Sequence, residues 1–199
     1  MLKRLFDIML SSLGIVVLSP VFILSAVVIK LDSKGPVFFM GKRVGKFGKP
    51  FKMYKFRTMV KEAEKLGGPS TSDDDARLTN IGKIVRKYKL DELPQLINVL
   101  KGEMSFVGPR PEVPMEVKTY NDEEKRILTV KPGITDYASL TFHNEGEILK
   151  GSEDPHQAYR EKIRPEKLRL GLKYVDSQSF RVDIKIIIQT LSALIRTRT

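Results

Sequence analysis

Residues 8–29 read Ile8-Met9-Leu10-Ser11-Ser12-Leu13-Gly14-Ile15-Val16-Val17-Leu18-Ser19-Pro20-Val21-Phe22-Ile23-Leu24-Ser25-Ala26-Val27-Val28-Ile29, 22 positions without a charge. As an α-helix this run is roughly 33 Å long, against a bilayer hydrocarbon core of about 30 Å. It lacks the polar stripe of a buried amphipathic helix. It is too long for the apolar part of a cleaved leader, and Lys30-Leu31-Asp32-Ser33-Lys34 offers no small-residue cleavage site. Ser19-Pro20 interrupts it, with Gly14 upstream. Proline removes a helical hydrogen bond at a cost of about 3 kcal/mol. In lipid the freed carbonyl needs another donor, for which the Ser19 hydroxyl is placed. A bend there leaves arms of about 11 and 9 residues, each too short to cross. Lys3 and Arg4 precede the run, and Lys30 and Lys34 follow it. Basic residues at both ends suit a segment that enters and returns to one membrane face, whereas a single crossing is lopsided. Residues 1–32 are therefore read as a re-entrant anchor and residues 33–199 as a domain on the cytosolic face.

The rest of the composition narrows the chemistry. The chain has 199 residues, no cysteine and only two histidines, His143 and His156. Disulfides, thiolate-ligated metals and histidine relays are excluded or disfavoured, so acid–base or nucleophilic work falls to carboxylates. The formal charge is +11. From Lys30 to Lys65, 11 basic residues face three acids, so this stretch carries +8 of that total directly after the apolar run. Its partner is anionic: a lipid surface, a phosphorylated substrate or nucleic acid.

Beyond the anchor, Val37–Met40 and Phe51–Arg57 read as strands around the turn chemistry of Gly45–Pro50, which gives a basic hairpin. The hairpin's lysines either merely solvate it or dock it on lipid headgroups. Leu66–Asp75 is a polar loop whose three aspartates suit a solvated segment better than a cation site. Thr79-Asn80 caps a helix running to Tyr88. Leu93, Leu96, Ile97 and Leu100 mark the apolar stripe of a short helix that ends at Lys101-Gly102, with Pro94 in its first turn. Gly108-Pro109-Arg110-Pro111 is a stiff loop, and Pro132-Gly133 is a turn. Pro165 opens a helix toward Val175. Ile184, Ile187, Ile188, Leu191, Leu194 and Ile195 form one face of a last helix ending in Arg196 and Arg198, packed on the core or laid in the membrane interface. The expected fold class is α/β: mostly helical, with a small hairpin or sheet, the re-entrant helix and interfacial amphipathic helices.

Asp91-Glu92 sits at the start of the short helix, where an aspartate cap and a first-turn glutamate are ordinary helix-end design. Context adds to this. Arg86 lies five residues earlier, and Arg110 follows between two prolines that stiffen its backbone. A stiffened arginine fork grips phosphate oxygens with less entropy loss, and a carboxylate at a helix start stays ionised and available as a nucleophile. These parts suit phosphoryl transfer through an aspartyl phosphate.

Several motifs, in order and over nearly the whole length, resemble those of the bacterial sugar transferases, the monotopic polyprenyl-phosphate phosphoglycosyl transferases. They are Lys3-Arg4-Leu5-Phe6-Asp7, Ser19-Pro20, Tyr54-Lys55-Phe56-Arg57-Thr58-Met59, Leu90-Asp91-Glu92-Leu93-Pro94-Gln95-Leu96-Ile97-Asn98-Val99-Leu100-Lys101-Gly102, Met104–Pro111 and Pro132-Gly133-Ile134-Thr135. The resemblance implies a monotopic enzyme at the cytoplasmic face of the bacterial inner membrane, with a UDP-sugar and polyprenyl (undecaprenyl) phosphate as substrates. Asp91 would attack the donor's β-phosphate and release UMP, and polyprenyl phosphate would then take the phosphosugar from Asp91. Glu92 would assist, as a base for the lipid phosphate, and Mg²⁺ would be required, with Asp91 as its protein ligand. Arg86 and Arg110 match phosphate-binding positions; Lys55, Arg57 and Thr135, in the matched motifs, are carried as further substrate contacts. Lys89 departs from the small hydroxyl residue many members carry. Asp136-Tyr137-Ala138-Ser139 departs from a glycine, a bulky apolar residue and a glutamine beside the donor pocket, so the sugar is not carried over. The resemblance is to a minimal catalytic unit without the added N-terminal helices of larger members. Homo-oligomer formation is left open. Two other readings compete: a membrane-tethered nucleic-acid binder, from the basic hairpin and its aromatic residues, and a non-catalytic scaffold. The resemblance argues for membrane lipids as partners and against nucleic acid.

Overall fold

A computed structural model describes residues 1–196, without the side chains of residues 194–196; Arg198 and the Leu194 and Ile195 side chains lie outside the described part. Two helices come first, α1 (Leu2–Val17) and α2 (Ser19–Asp32), followed by strands β1 (Phe38–Val44) and β2 (Pro50–Phe56). Then come α3 (Asn80–Lys87), α4 (Gln95–Lys101), β3 (Ser105–Val107), α5 (Pro114–Val117) and β4 (Gly133–Thr135). The remainder is helical: α6 (Tyr137–Thr141), α7 (Glu145–Ile148), α8 (Pro155–Lys162), α9 (Arg164–Ser177) and α10 (Phe180–Arg196). The mostly helical α/β class expected from the sequence is found, with β1 and β2 paired antiparallel and β3 and β4 paired parallel.

No single helix among the described residues is long and apolar enough to cross a membrane, but α1 and α2 pass that test together as a pair bent by 59°. The break falls at Leu18, so Pro20 lies in the first turn of α2, where its missing N–H is not needed. The two helices are turned inside out relative to a soluble amphipathic helix. Asp7, Ser11 and Ser25 are buried, whereas Leu5, Met9, Leu13 and Val16 are 57 to 70 % exposed. An apolar face left open to water costs free energy, while the buried polar groups are hydrogen-bonded, as Asp7 is to Ser105 and Phe106 and Ser11 is to the Asp7 carbonyl.

Both outer ends of the pair are tied to the same body. Lys3 Nζ donates to the Val107 carbonyl at 2.9 Å and pairs with Asp183 at 2.6 Å. Arg4 caps α4 through the Val99 and Leu100 carbonyls at 2.6 and 2.7 Å. Asp7 accepts from the Ser105 hydroxyl at 3.0 Å and the Phe106 N–H at 3.1 Å. At the other end, Arg57 on the strand end of the hairpin donates to the carbonyls of Ser33, Lys34 and Pro36 at 2.8, 3.0 and 2.6 Å and reaches Ile29 at 3.4 Å. Ser33 is the C-cap of α2, and Lys34 and Pro36 lie in the turn beyond it, so Arg57 fastens the exit of the helix to the hairpin.

Three further elements differ from expectation. Pro132-Gly133 opens β4 and is not a free turn: Ser105 N–H donates to the Pro132 carbonyl at 2.9 Å, and Gly133 N–H to the Pro109 carbonyl at 3.2 Å. The strands meet so closely that a Cβ at Gly108 would lie 2.2 Å from the Lys131 carbonyl oxygen, and one at Gly133 2.1 Å from the Gly108 nitrogen. The helix expected to start at Asp91 starts at Gln95, because Pro94 supplies its cap, and Leu90–Glu92 forms a separate 3₁₀ turn. The last helix divides the expected apolar face. Asp183 and Ile186 are buried, with Val182 and Ile187 packed on Val107, Val130 and Tyr174, while Ile188 and Leu191 stay exposed.

Replacing Arg57 by methionine should lower stability by roughly 3 kcal/mol, because a charged hydrogen-bonding hub is lost from buried carbonyls. Denaturant unfolding in detergent, with exposed Lys42→Met expected to stay within about 0.5 kcal/mol of the wild type, checks it.

Candidate active site

The left-handed backbone of Lys89, φ 56°, reverses the chain at the end of α3 and opens the 3₁₀ turn that carries Asp91 and Glu92. Such a conformation costs an ordinary residue on the order of 1 kcal/mol. The adjacent carboxylates meet different fates. Glu92 accepts from Lys55 Nζ at 2.9 Å and from Arg110, by Nη1 at 3.1 Å and by a second short contact from Nη2. Asp91 is buried without any such bond; its nearest partner is Lys55 Nζ at 3.8 Å.

Their acidities diverge accordingly. Burial pushes the Asp91 carboxyl above the usual aspartate value, with Lys55 and Arg86 only partly opposing. Burial also works against ionised Glu92, but Arg110 and Lys55 outweigh it and hold that carboxyl well below the glutamate range. Glu92 in turn raises the pKa of Arg110. Lys55 is lowered by burial, with Glu92 opposing. Asp91 thus lacks the acidity expected of a helix-start carboxylate, because it caps nothing and has lost its water.

Of the residues singled out in the sequence, Asp91, Glu92, Lys55 and Arg110 converge, and Arg86 acts on Asp91 through its charge. Arg57 does not join them, since its guanidinium is spent on the end of α2. Thr135 is buried, its hydroxyl 2.7 Å from that of Thr190 on α10. Ser19 and Pro20 lie at the helix break.

The departure at Asp136 gains a structural meaning. Its buried carboxylate caps α6 through the Ser139 N–H and hydroxyl, each at 2.7 Å, and accepts the Arg110 N–H at 3.4 Å. Asp136 and Ala138 also line a shallow recess that begins at Arg110 and includes Tyr120, Tyr159 and Lys167. Sequence reasoning overlooked Arg43, whose electrostatic neighbours are Glu112, Arg110 and Glu92. The strand register of the hairpin was the signal that could have found it.

Among the described residues no group of three or more acidic or histidine side chains could hold a metal. A magnesium ion needs fewer protein ligands when substrate phosphates and water complete its shell, and Asp91, the carboxylate without a hydrogen bond, fits that role.

Residues 1–197 match the family described as bacterial sugar transferase. The chain is 38 % identical over 190 residues to the uncharacterized sugar transferase EpsL of Bacillus subtilis (strain 168), covering 96 % of this chain and 85 % of that protein. It is 36 % identical over 201 residues to the UDP-N-acetylgalactosamine-undecaprenyl-phosphate N-acetylgalactosaminephosphotransferase of Aeromonas hydrophila, covering 98 % of this chain and 44 % of that one. The UDP-glucose:undecaprenyl-phosphate glucose-1-phosphate transferase of Escherichia coli (strain K12) is 37 % identical, over 96 % of this chain and 39 % of its own length. The chain thus spans less than half of these last two relatives.

The adjacent carboxylates should respond oppositely to neutralisation at pH 7. Asp91→Asn should raise the unfolding midpoint, because the cost of burying that charge is present above its raised pKa. Glu92→Gln should lower stability by about 3 kcal/mol, as expected for a broken buried pair. The stability from Glu92 is complete above the unfolded value of 4.5 and fades as pH falls through its depressed folded value. Denaturant titrations of both variants should show the gap between them narrowing as pH falls through the raised Asp91 value, while the Glu92 part persists until pH falls below 4.5.

Proposed function

The chain belongs to the bacterial sugar transferase family, and from that membership we propose that it moves a sugar 1-phosphate from a UDP-sugar to polyprenyl phosphate. The observation that carries this reading is Asp91: a buried carboxylate, free of hydrogen bonds, beside Lys55 and Arg86, with Arg110 bonded to the adjacent Glu92. A carboxylate stripped of water is a stronger nucleophile, and the surrounding cations offset charge that gathers on phosphate oxygens.

In the proposed first step an Asp91 Oδ attacks the β-phosphorus. The bond from that phosphorus to the bridging oxygen breaks, and its electron pair leaves with UMP. In the second step a phosphate oxygen of the lipid attacks the same phosphorus, the Asp91–phosphorus bond breaks, and the carboxylate returns. Arg110, locked in a stiff loop and held through Asp136 and Glu92, fixes the position of the phosphate. Glu92 is held ionised and is therefore a weak base; its work is to orient Arg110 and Lys55. Magnesium, held by Asp91 and the diphosphate, would supply further charge neutralisation.

The bent, inside-out pair α1–α2 supports a re-entrant membrane anchor formed by residues 1–32. Its two tied ends support a reading in which residues 33–196 lie on one face, the cytoplasmic face of the inner membrane. Exposed Ile188 and Leu191 leave α10 an apolar side that suits the membrane interface.

Incubation with a panel of UDP-sugars in the absence of lipid acceptor should release UMP and leave one phosphosugar mass on Asp91, detected by intact-protein and peptide mass spectrometry. Asp91→Asn should lose at least about 10³-fold in turnover, as for removal of a covalent nucleophile; full turnover by that variant would overturn the assignment.

A further inference from the structure

Across the hairpin Lys55 pairs with Phe39 and Arg43 with Phe51, so positions 39, 41 and 43 of β1 share a face with 51, 53 and 55 of β2. Arg43 and the Lys55 pair are thus separated by about 13 Å along the ladder at ~3.3 Å per residue. Gly41 lies between them. A Cβ there would sit 3.1 Å from Arg43 Nη1, so the guanidinium folds back over the bare backbone of Gly41 toward Lys55. The strand is held against the Arg110 loop, because Val44 N–H donates to the Glu112 carbonyl at 3.0 Å.

Among the described residues Arg43 forms no ion pair. Its hydrogen bond goes from Nη1 to the Lys42 carbonyl at 2.9 Å, which uses one of five N–H donors. Glu92, the nearby carboxylate of the site, spends both oxygens on Lys55 and Arg110. Burial lowers the Arg43 pKa, with the charge of Glu112 opposing. The Glu112 carboxylate, bonded to the Tyr159 hydroxyl, forms no ion pair with Arg43, so most of the guanidinium donors remain open to an arriving anion.

We propose that Arg43, laid over Gly41 beside Arg110, is a further phosphate-binding residue of the site, gripping an oxyanion of the donor diphosphate or of the lipid acceptor. This rests on the proposed phosphosugar transfer. Lys55 and Arg43 then bracket the anion from two ends of one hairpin face, with Arg110 between the elements that carry them.

The test uses the full chain in detergent micelles with Arg43→Gln, Arg43→Lys and Gly41→Ala. Equilibrium binding of UDP with magnesium reads the donor arm, and the KM for polyprenyl phosphate reads the acceptor arm. Arg43→Gln should weaken one of these by roughly tenfold, the scale of a lost charge-assisted hydrogen bond. Arg43→Lys should recover part of the loss, and Gly41→Ala, which displaces the guanidinium but keeps its charge, should lie between. The unfolding midpoint of Arg43→Gln should not fall, because no ion pair is broken. A rise confined to UDP places Arg43 on the donor, and one confined to the acceptor KM places it on the lipid phosphate; either supports the proposal. Unchanged values in both arms, with a wild type that binds UDP and releases UMP, overturn this inference alone. A wild type that binds neither phosphate overturns the transfer reading with it.

Discussion

Glu92 joins three segments that are far apart in the chain: the hairpin through Lys55, the 3₁₀ turn that also carries Asp91, and the stiff loop of Arg110. Ion pairing in a desolvated place is costly to assemble and costly to break, so it fixes geometry more than it adds net stability. Its consequence falls on Asp91. With Lys55 and Arg110 both bonded to Glu92, Asp91 remains buried without a hydrogen bond and keeps the raised pKa that burial imposes. One carboxylate organises the cations so that its neighbour is left reactive.

The same economy of charge binds the anchor to this centre. Lys3, Arg4 and Asp7 fasten α1 to β3, α4 and α10, and Arg57 fastens the end of α2 to the hairpin. β3 leads into the Arg110 loop, and α4 follows directly after Asp91 and Glu92. Helices that show leucine and methionine outward and aspartate inward suit the proposed contact of their outer surface with hydrocarbon. The lipid phosphate of the proposed reaction would be presented beside the same surface.

The recess at Arg110 is bounded by α6, α8 and α9, and Asp136 ties the backbone of Arg110 to α6. Arg110 thus belongs both to the carboxylate site, through Glu92, and to the wall of the recess. A change at Asp136 would loosen the Arg110 backbone and the start of α6 together.

The broken apolar run, the hairpin, the caps at Thr79 and Gly102 and the helix opened by Pro165 were all legible in the sequence, because each depends on contacts within a few residues. The pairing of Asp91 and Glu92 with arginines was legible as a set of residue types. Which arginine serves the site was not: Arg57 caps a helix end, whereas Arg43 lies beside Arg110, and that choice is made by strand register and by the missing side chain of Gly41. The partner of Pro132-Gly133 is the strand near Val107, some 25 positions earlier in the chain, so a local reading sees only a turn. The face that α10 buries is likewise chosen by Tyr174 and Val107, with periodicity alone unable to separate Ile186 from Ile188. Local chemistry thus specified the elements and the candidate nucleophile. Long-range packing decided which charges face it, because burial and the distances between charges exist only once the chain has folded.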